Sequence, residues 1–307
     1  MTEKPVALAD PARPLWRKIW EFPLVAMVVA IAVVAACIAG LGALFNVLPV
    51  FDDDNLNLVV RGLASVIVTF AAYKLIIRRL GERRHDDLPW KGALGDTALG
   101  LGAGFAIFTT VVGAATLAGV YRITGWGNWT DFVEIVMSAG LVAGFMEELL
   151  MRGIVFRWME EFAGSWAALA VSSLVFGLLH MGNQHATLFS SLAIAVEAGI
   201  LLGGAYMLTR SLWLAIGIHA GWNVTQGFIY DVPVSGNAWQ GMVEARLAGP
   251  ELLTGGAFGL EASVIALVVA TGAGIWMVVR ARREGNFMQP WWTRRRIARM
   301  EQAAIAE

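Results

Sequence analysis

Eight apolar segments, each long enough to cross a bilayer, recur along the chain at about 23–48, 56–77, 97–121, 133–157, 164–181, 187–208, 211–229 and 259–281. A spanning helix needs roughly 20 apolar residues. In lipid every backbone N–H and C=O must find an internal partner, which leaves helices or closed barrels as the solutions. The expectation is an all-α polytopic membrane bundle of about eight transmembrane helices around a polar chamber. Composition agrees, with 57% hydrophobic and 15% charged residues, against about 45–50% and about 25% in soluble domains. A net charge of −1 provides no basic field for nucleic acid. The lone Cys37 excludes an intramolecular disulfide framework. The first apolar run is too long for a cleaved signal peptide and reads as a signal anchor.

The positive charges suggest an orientation. With the N-terminus cytoplasmic, twenty of the 23 Lys and Arg fall inside, including Arg152, Arg157 and Arg210, while Arg61, Arg122 and Arg246 face outward. That asymmetry fits an even number of spans, both termini cytoplasmic, in a bacterial inner (plasma) membrane. The expected organisation is a cytoplasmic tail over 1–22 and a transmembrane domain over 23–281 with a functional core at about 133–229. A basic amphipathic cytoplasmic tail over 282–307 follows, carrying "WWTRRRIARM". Gly199 and Gly203 form a G-x-x-x-G helix-packing face.

Three polar groups interrupt the spans. "GFMEELLMRG" places Glu147, Glu148 and Arg152 in the fourth. Ionisable groups at that depth are costly by at least about 2.5 kcal/mol on insertion scales. Glu148 and Arg152, at i and i+4, share a helix face and can pair, while Glu147 points about 100° away. "FGLLH" puts Phe176 and His180 at the end of the fifth span, and "HAGWN" puts His219 and Asn223 one turn apart on the seventh. A carboxylate, two imidazoles and an amide on separate spans are what a water-activating site needs. Glu197, in mid-span six, faces either the chamber or a neighbour. Depth does not match neatly. Glu147 counts about 10 residues from the cytoplasmic end of its span and His180 about 16, a difference of roughly 9 Å.

Taken in order, these motifs resemble the CPBP family of intramembrane proteases, which includes the CAAX prenyl endopeptidases and bacteriocin-processing or immunity proteins. "TRSLWLAIGIHAGWN" at 209–223 is similar to that family's last motif. The resemblance covers roughly residues 140–225. It implies a chamber between helices where the peptide bond of a membrane-associated peptide or protein is hydrolysed. Glu147 would then be the general base, assisted by His180, with His219 and Asn223 lining the oxyanion site. Glu148 and Arg152 would form a supporting ion pair, and Phe176 would shape the pocket. No cofactor is then required. The alternative is zinc held by Glu147, His180 and His219, a His₂Glu set, although no His-Glu-x-x-His helix is present. Two further readings are a non-catalytic immunity or scaffold factor on the same fold, and a transporter with Glu147 and Glu197 as relay carboxylates. No inverted repeat supports the last.

Overall fold

The computed structural model describes residues 14–48, 51–82 and 85–306. Lys4, Arg13, Arg83 and Arg84, all counted toward the cytoplasmic charge, lie outside the described residues. A short helix, α1 (Leu15–Trp20), precedes α2 (Pro23–Val47), α3 (Asp54–Leu75) and α4 (Ala93–Leu117). A continuous helical run over 132–163 forms α5, which a turn at Gly164 separates from α6 (Ser165–Leu179). Then come α7 (Leu188–Thr209), α8 over 212–229, α9 (Val264–Arg283) and a terminal α10 (Trp291–Ala306).

Among the described residues, six helices are long and apolar enough to cross a membrane: α2, α3 with its 3₁₀ extension to Arg79, α4, α6, α7 and α9. The other two expected spans, α5 and α8, are continuous but carry wide π-type turns, at Ile135–Ala143 and Met151–Phe156 in α5 and at Thr225–Ile229 in α8. Such turns concentrate at functional sites, and these two helices carry Glu147, Glu148, Arg152, His219 and Asn223.

Apolar side chains cover the outside, as lipid demands, and polar groups are kept among the apolar clusters of the interior. Leu94, Leu99 and Leu117 project outward, while Glu148, Arg152, Arg157, Glu197, His219 and Asn223 are buried. Close backbone approach fixes α8 against α4. A Cβ on Gly100 would stand 2.5 Å from the Leu214 carbonyl oxygen, and one on Gly104 would stand 2.3 Å from that of Ile218. Gly199 and Gly203 do face a partner helix, packing on Ser173 and Leu169 of α6.

Two features depart from the sequence reading. A two-stranded antiparallel sheet pairs β1 (Tyr121–Trp126) with β2 (Val243–Leu247), so the chain is not wholly helical. Its strands are over 100 residues apart, beyond what a local pattern reveals. Moreover, α5 does not stop at 157 but runs to Ala163, because its terminal charges are paired in place. Asp87, fully buried, accepts hydrogen bonds from Tyr73 (2.8 Å), Arg157 (2.8 Å) and Tyr206 (2.7 Å). Arg210 grips Glu160 through both terminal guanidinium nitrogens, at 2.6 and 3.1 Å. This hub ties one end of the bundle together. Arg294 of the terminal helix also docks there, donating to the Glu161 carbonyl at 2.6 Å.

The α4–α8 contact makes a clear prediction. Gly104→Val should force these helices apart and destabilise the protein by about 1–3 kcal/mol or more, as overpacking does. Gly102→Val, which meets nothing within 4 Å, should leave thermal unfolding in detergent unchanged. Equal melting of the two variants would contradict the packing.

Candidate active site

Arg152 organises the site. Its guanidinium has no exposure, donates to Glu148 Oε1 at 2.8 Å and to the Ala198 carbonyl of α7 at 3.0 Å, and lies over the Phe176 ring of α6 at 4.9 Å. One side chain therefore links α5, α6 and α7. The expected i, i+4 pair is present, and it removes Arg152 from the cytoplasmic charge count.

Glu148 Oε1 has a second partner, His219 Nδ1 on α8 at 3.0 Å. A carboxylate only accepts, so Nδ1 carries the proton and the ring is held in a fixed direction. His219 Nε2 then points toward Glu147, whose Oε2 lies 3.9 Å away, beyond hydrogen-bond distance. Glu147 Oε2 is buried without a hydrogen-bond partner, although the side chain as a whole is 39% exposed. The two adjacent glutamates thus differ: Glu148, without exposure, gives Oε1 to both Arg152 and His219 and keeps Oε2 buried without a partner, whereas Glu147 is partly exposed and tied to neither group by a hydrogen bond.

His180, half-buried, places Nδ1 2.8 Å from the Phe176 carbonyl. That oxygen is also an acceptor only, so Nε2 is left as the accepting nitrogen. The Phe176 ring stands 4.6 Å from the His180 ring and meets His219 edge-on at 6.1 Å. Asn223 donates from Nδ2 to the Ala139 carbonyl, in the first wide turn of α5, at 2.9 Å. This bond orients the amide and leaves its second N–H available.

The expected depth mismatch disappears. Glu147 lies sixteen residues before Ala163, and His180 lies fifteen after Ser165, so at 1.5 Å per residue both sit at nearly the same depth. The expected span end at 157 falls six residues short of Ala163.

Phe176, His180, Glu197, His219, Asn223 and Glu261 line a cavity of about 40 Å³, room for a few waters. Glu147 is not among its lining residues, and no hydrogen bond joins Glu147 to His180. Among the described residues no group of three or more His, Cys, Asp or Glu side chains is arranged to hold a metal ion. Glu197 does face the cavity. Glu261, unremarked in the sequence, caps it from the turn before α9. It sits in the apolar run from 259 as the only carboxylate, the same signal that singled out Glu197. Burial pushes Glu261 up to about 7, although the Ser235 N–H and hydroxyl donate to it.

Because Arg152 is wholly buried, Arg152→Met should cost about 3–5 kcal/mol by stranding Glu148. Adding Glu148→Gln should restore part of that stability. Equilibrium or thermal unfolding in nanodiscs measures both, and a parent-like single variant would contradict the role given to the pair.

Residues 129–225 match the family model described as Type II CAAX prenyl endopeptidase Rce1-like. The match contains Glu147, Glu148, Arg152, Phe176, His180, His219 and Asn223. The chain is also 24% identical over 219 residues to the Bacillus subtilis (strain 168) protein named "Putative membrane peptidase YdiL", an alignment covering 67% of this chain and 84% of that protein. No solved structure matches. Over residues 129–225, therefore, the chain carries a domain of the Rce1-like type II CAAX prenyl endopeptidase (CPBP) family.

Proposed function

We propose that the protein is an intramembrane endopeptidase that hydrolyses a peptide bond of a membrane-associated peptide or protein with water activated by Glu147 and His180. The observation that carries this reading is the division of labour between adjacent glutamates. Glu148, fully buried, holds Arg152 and His219 through Oε1, whereas Glu147 is partly exposed and keeps a bond-free oxygen beside the His219 ring, where water can reach it. His180 supplies a second open acceptor at the same depth.

In this mechanism a water bound near Glu147 and His180 gives a proton to the Glu147 carboxylate as its oxygen attacks the scissile carbonyl. The negative charge developing on the carbonyl oxygen accepts from the second N–H of Asn223. It also accepts from His219 Nε2 when both ring nitrogens carry protons, each then facing a carboxylate. As the C–N bond breaks, Glu147 returns its proton to the leaving amine. No metal enters the scheme. The protease core is placed at about 133–229 within a transmembrane domain over 23–281, flanked by cytoplasmic tails over 1–22 and 282–307.

Glu147→Gln should abolish single-turnover cleavage in nanodiscs, with a loss on the order of 10²–10⁴. It should melt like the parent, because the replaced oxygen bonds nothing. Parent-like turnover by this variant would refute the base assignment.

Asn223→Ala should lower kcat by about 10²–10³, as the loss of an oxyanion donor does, with little change in KM. The bond to Ala139 goes too, so about 1 kcal/mol of stability should be lost and rates must be normalised to folded protein. A non-catalytic scaffold predicts only the stability loss, with no dependence of any turnover on this residue.

The charge asymmetry supports cytoplasmic termini. In a Cys37→Ala background, cysteines replacing Asp52 and Trp126, both exposed, should label with an impermeant maleimide on intact cells. One replacing Arg283 should not. The reverse pattern would overturn the orientation.

A further inference from the structure

The cavity has an acidic wall that the hydrolytic scheme leaves unused. Glu197, near the middle of α7, is 2% exposed and its Oε2 has no hydrogen-bond partner. Glu261, 5% exposed, approaches from the turn before α9, and both carboxyls line the same cavity. Its Oε1 is 3.0 Å from Ser235 Oγ. No Lys or Arg lines the cavity. The nearest guanidinium of the site, that of Arg152, is committed to Glu148 and to the Ala198 carbonyl. Of the other walls, Phe176, Ile194, Leu201 and Ile218 carry no donor, Trp222 gives its indole N–H to Gln226, and no hydrogen bond joins Glu197 to His180, His219 or Asn223.

A carboxyl that bonds nothing in its own protein contributes nothing to the fold, and placing it among spans is costly. A donor brought in by a ligand would satisfy it. The free space, about 40 Å³, admits something the size of a few waters, which an ammonium with its last methylene resembles and an aromatic or branched side chain does not. We infer that Glu197 and Glu261 form a subsite for a primary ammonium, the end of a lysine side chain on the substrate, beside the bond that is cut. Assigning the ammonium to a peptide substrate rests on the endopeptidase reading, but the subsite itself does not. Its walls next to His180, His219 and Asn223 put the bound lysine within a residue or two of the scissile bond. Extended peptide advances about 3.3 Å per residue, so the constraint is a positional one.

Two measurements on the full-length protein in nanodiscs test this. In the first, thermal unfolding is followed with n-butylammonium chloride, with n-butanol and with sodium chloride at matched ionic strength. Only n-butylammonium should raise the parent's midpoint, and Glu197→Gln and Glu261→Gln should each remove the rise. Glu197→Gln should fold at least as well as the parent, since it deletes an unpartnered acid. If Glu261→Gln does not fold, Glu197→Gln decides alone. If neither does, the parent's discrimination between n-butylammonium and n-butanol decides. No rise in the parent, or an undiminished rise in Glu197→Gln, overturns the subsite. In the second measurement, cleavage products of a membrane-peptide library are sequenced. The parent should enrich lysine about tenfold at one position near the cut, the scale of a charged hydrogen bond. Glu197→Gln should still cleave but lose that enrichment. Cleavage without lysine enrichment overturns the substrate class. A butylammonium response with no cleavage of any peptide would instead sink the endopeptidase reading and leave the ammonium site standing.

Discussion

A buried guanidinium cannot be left to water in this bundle, and the arrangement around Arg152 follows from that. Its charge is met by Glu148, the Ala198 carbonyl and the Phe176 face, which belong to three helices. Satisfying one group therefore fixes how α5, α6 and α7 pack. Glu148 in turn fixes His219 on α8. Stranding either partner of such a pair is far more costly than the pair is worth, because the desolvation penalty remains after the attraction is gone. The geometry of the site is thus enforced by the cost of its alternatives. Glu147, one residue away and turned by about 100°, is spared from this scaffolding.

The bundle has two polar ends of different character. At one, Asp87 gathers Tyr73, Arg157 and Tyr206 into a network in which each carboxylate oxygen has a donor. At the other, Glu147, Glu197 and His180 keep atoms without partners beside a water-sized cavity. Saturated networks rigidify, whereas open ones await a ligand. Gly100 and Gly104 allow α8 to lie directly on α4, so His219 and Asn223 are carried on a helix with little freedom to shift. The cavity is too small for a peptide. In the proposed reaction, substrate entry therefore requires helices or the capping segment between α8 and α9 to move apart.

Much of this was legible in the sequence, and the illegible parts share a cause. Apolar length located the helices, and i, i+4 spacing found the Glu148–Arg152 pair, because both are local signals. The bond from Glu148 to His219 joins residues 71 positions apart and had no local trace. The same holds for the pairing of β1 with β2. Arg157 and Glu160 looked like the end of a span because their partners, Asp87 and Arg210, lie on other segments. That misreading alone generated the depth mismatch between Glu147 and His180. Glu261 was different. Its signal, a single acid in an apolar run, is local, but its place against the cavity depends on Ser235, 26 positions away, and has no local trace.

The account's central claim is that carboxylate and imidazole activate water here without a metal. His180 and His219 each engage one ring nitrogen with the protein and leave the other open, an arrangement that serves a water-activating imidazole and a metal ligand alike. The most direct test is single-turnover cleavage after exhaustive chelation, paired with elemental analysis of the same sample. The account predicts an unchanged rate constant with metal far below one equivalent per chain. Loss of cleavage on chelation, restored by about one equivalent of zinc, would contradict it.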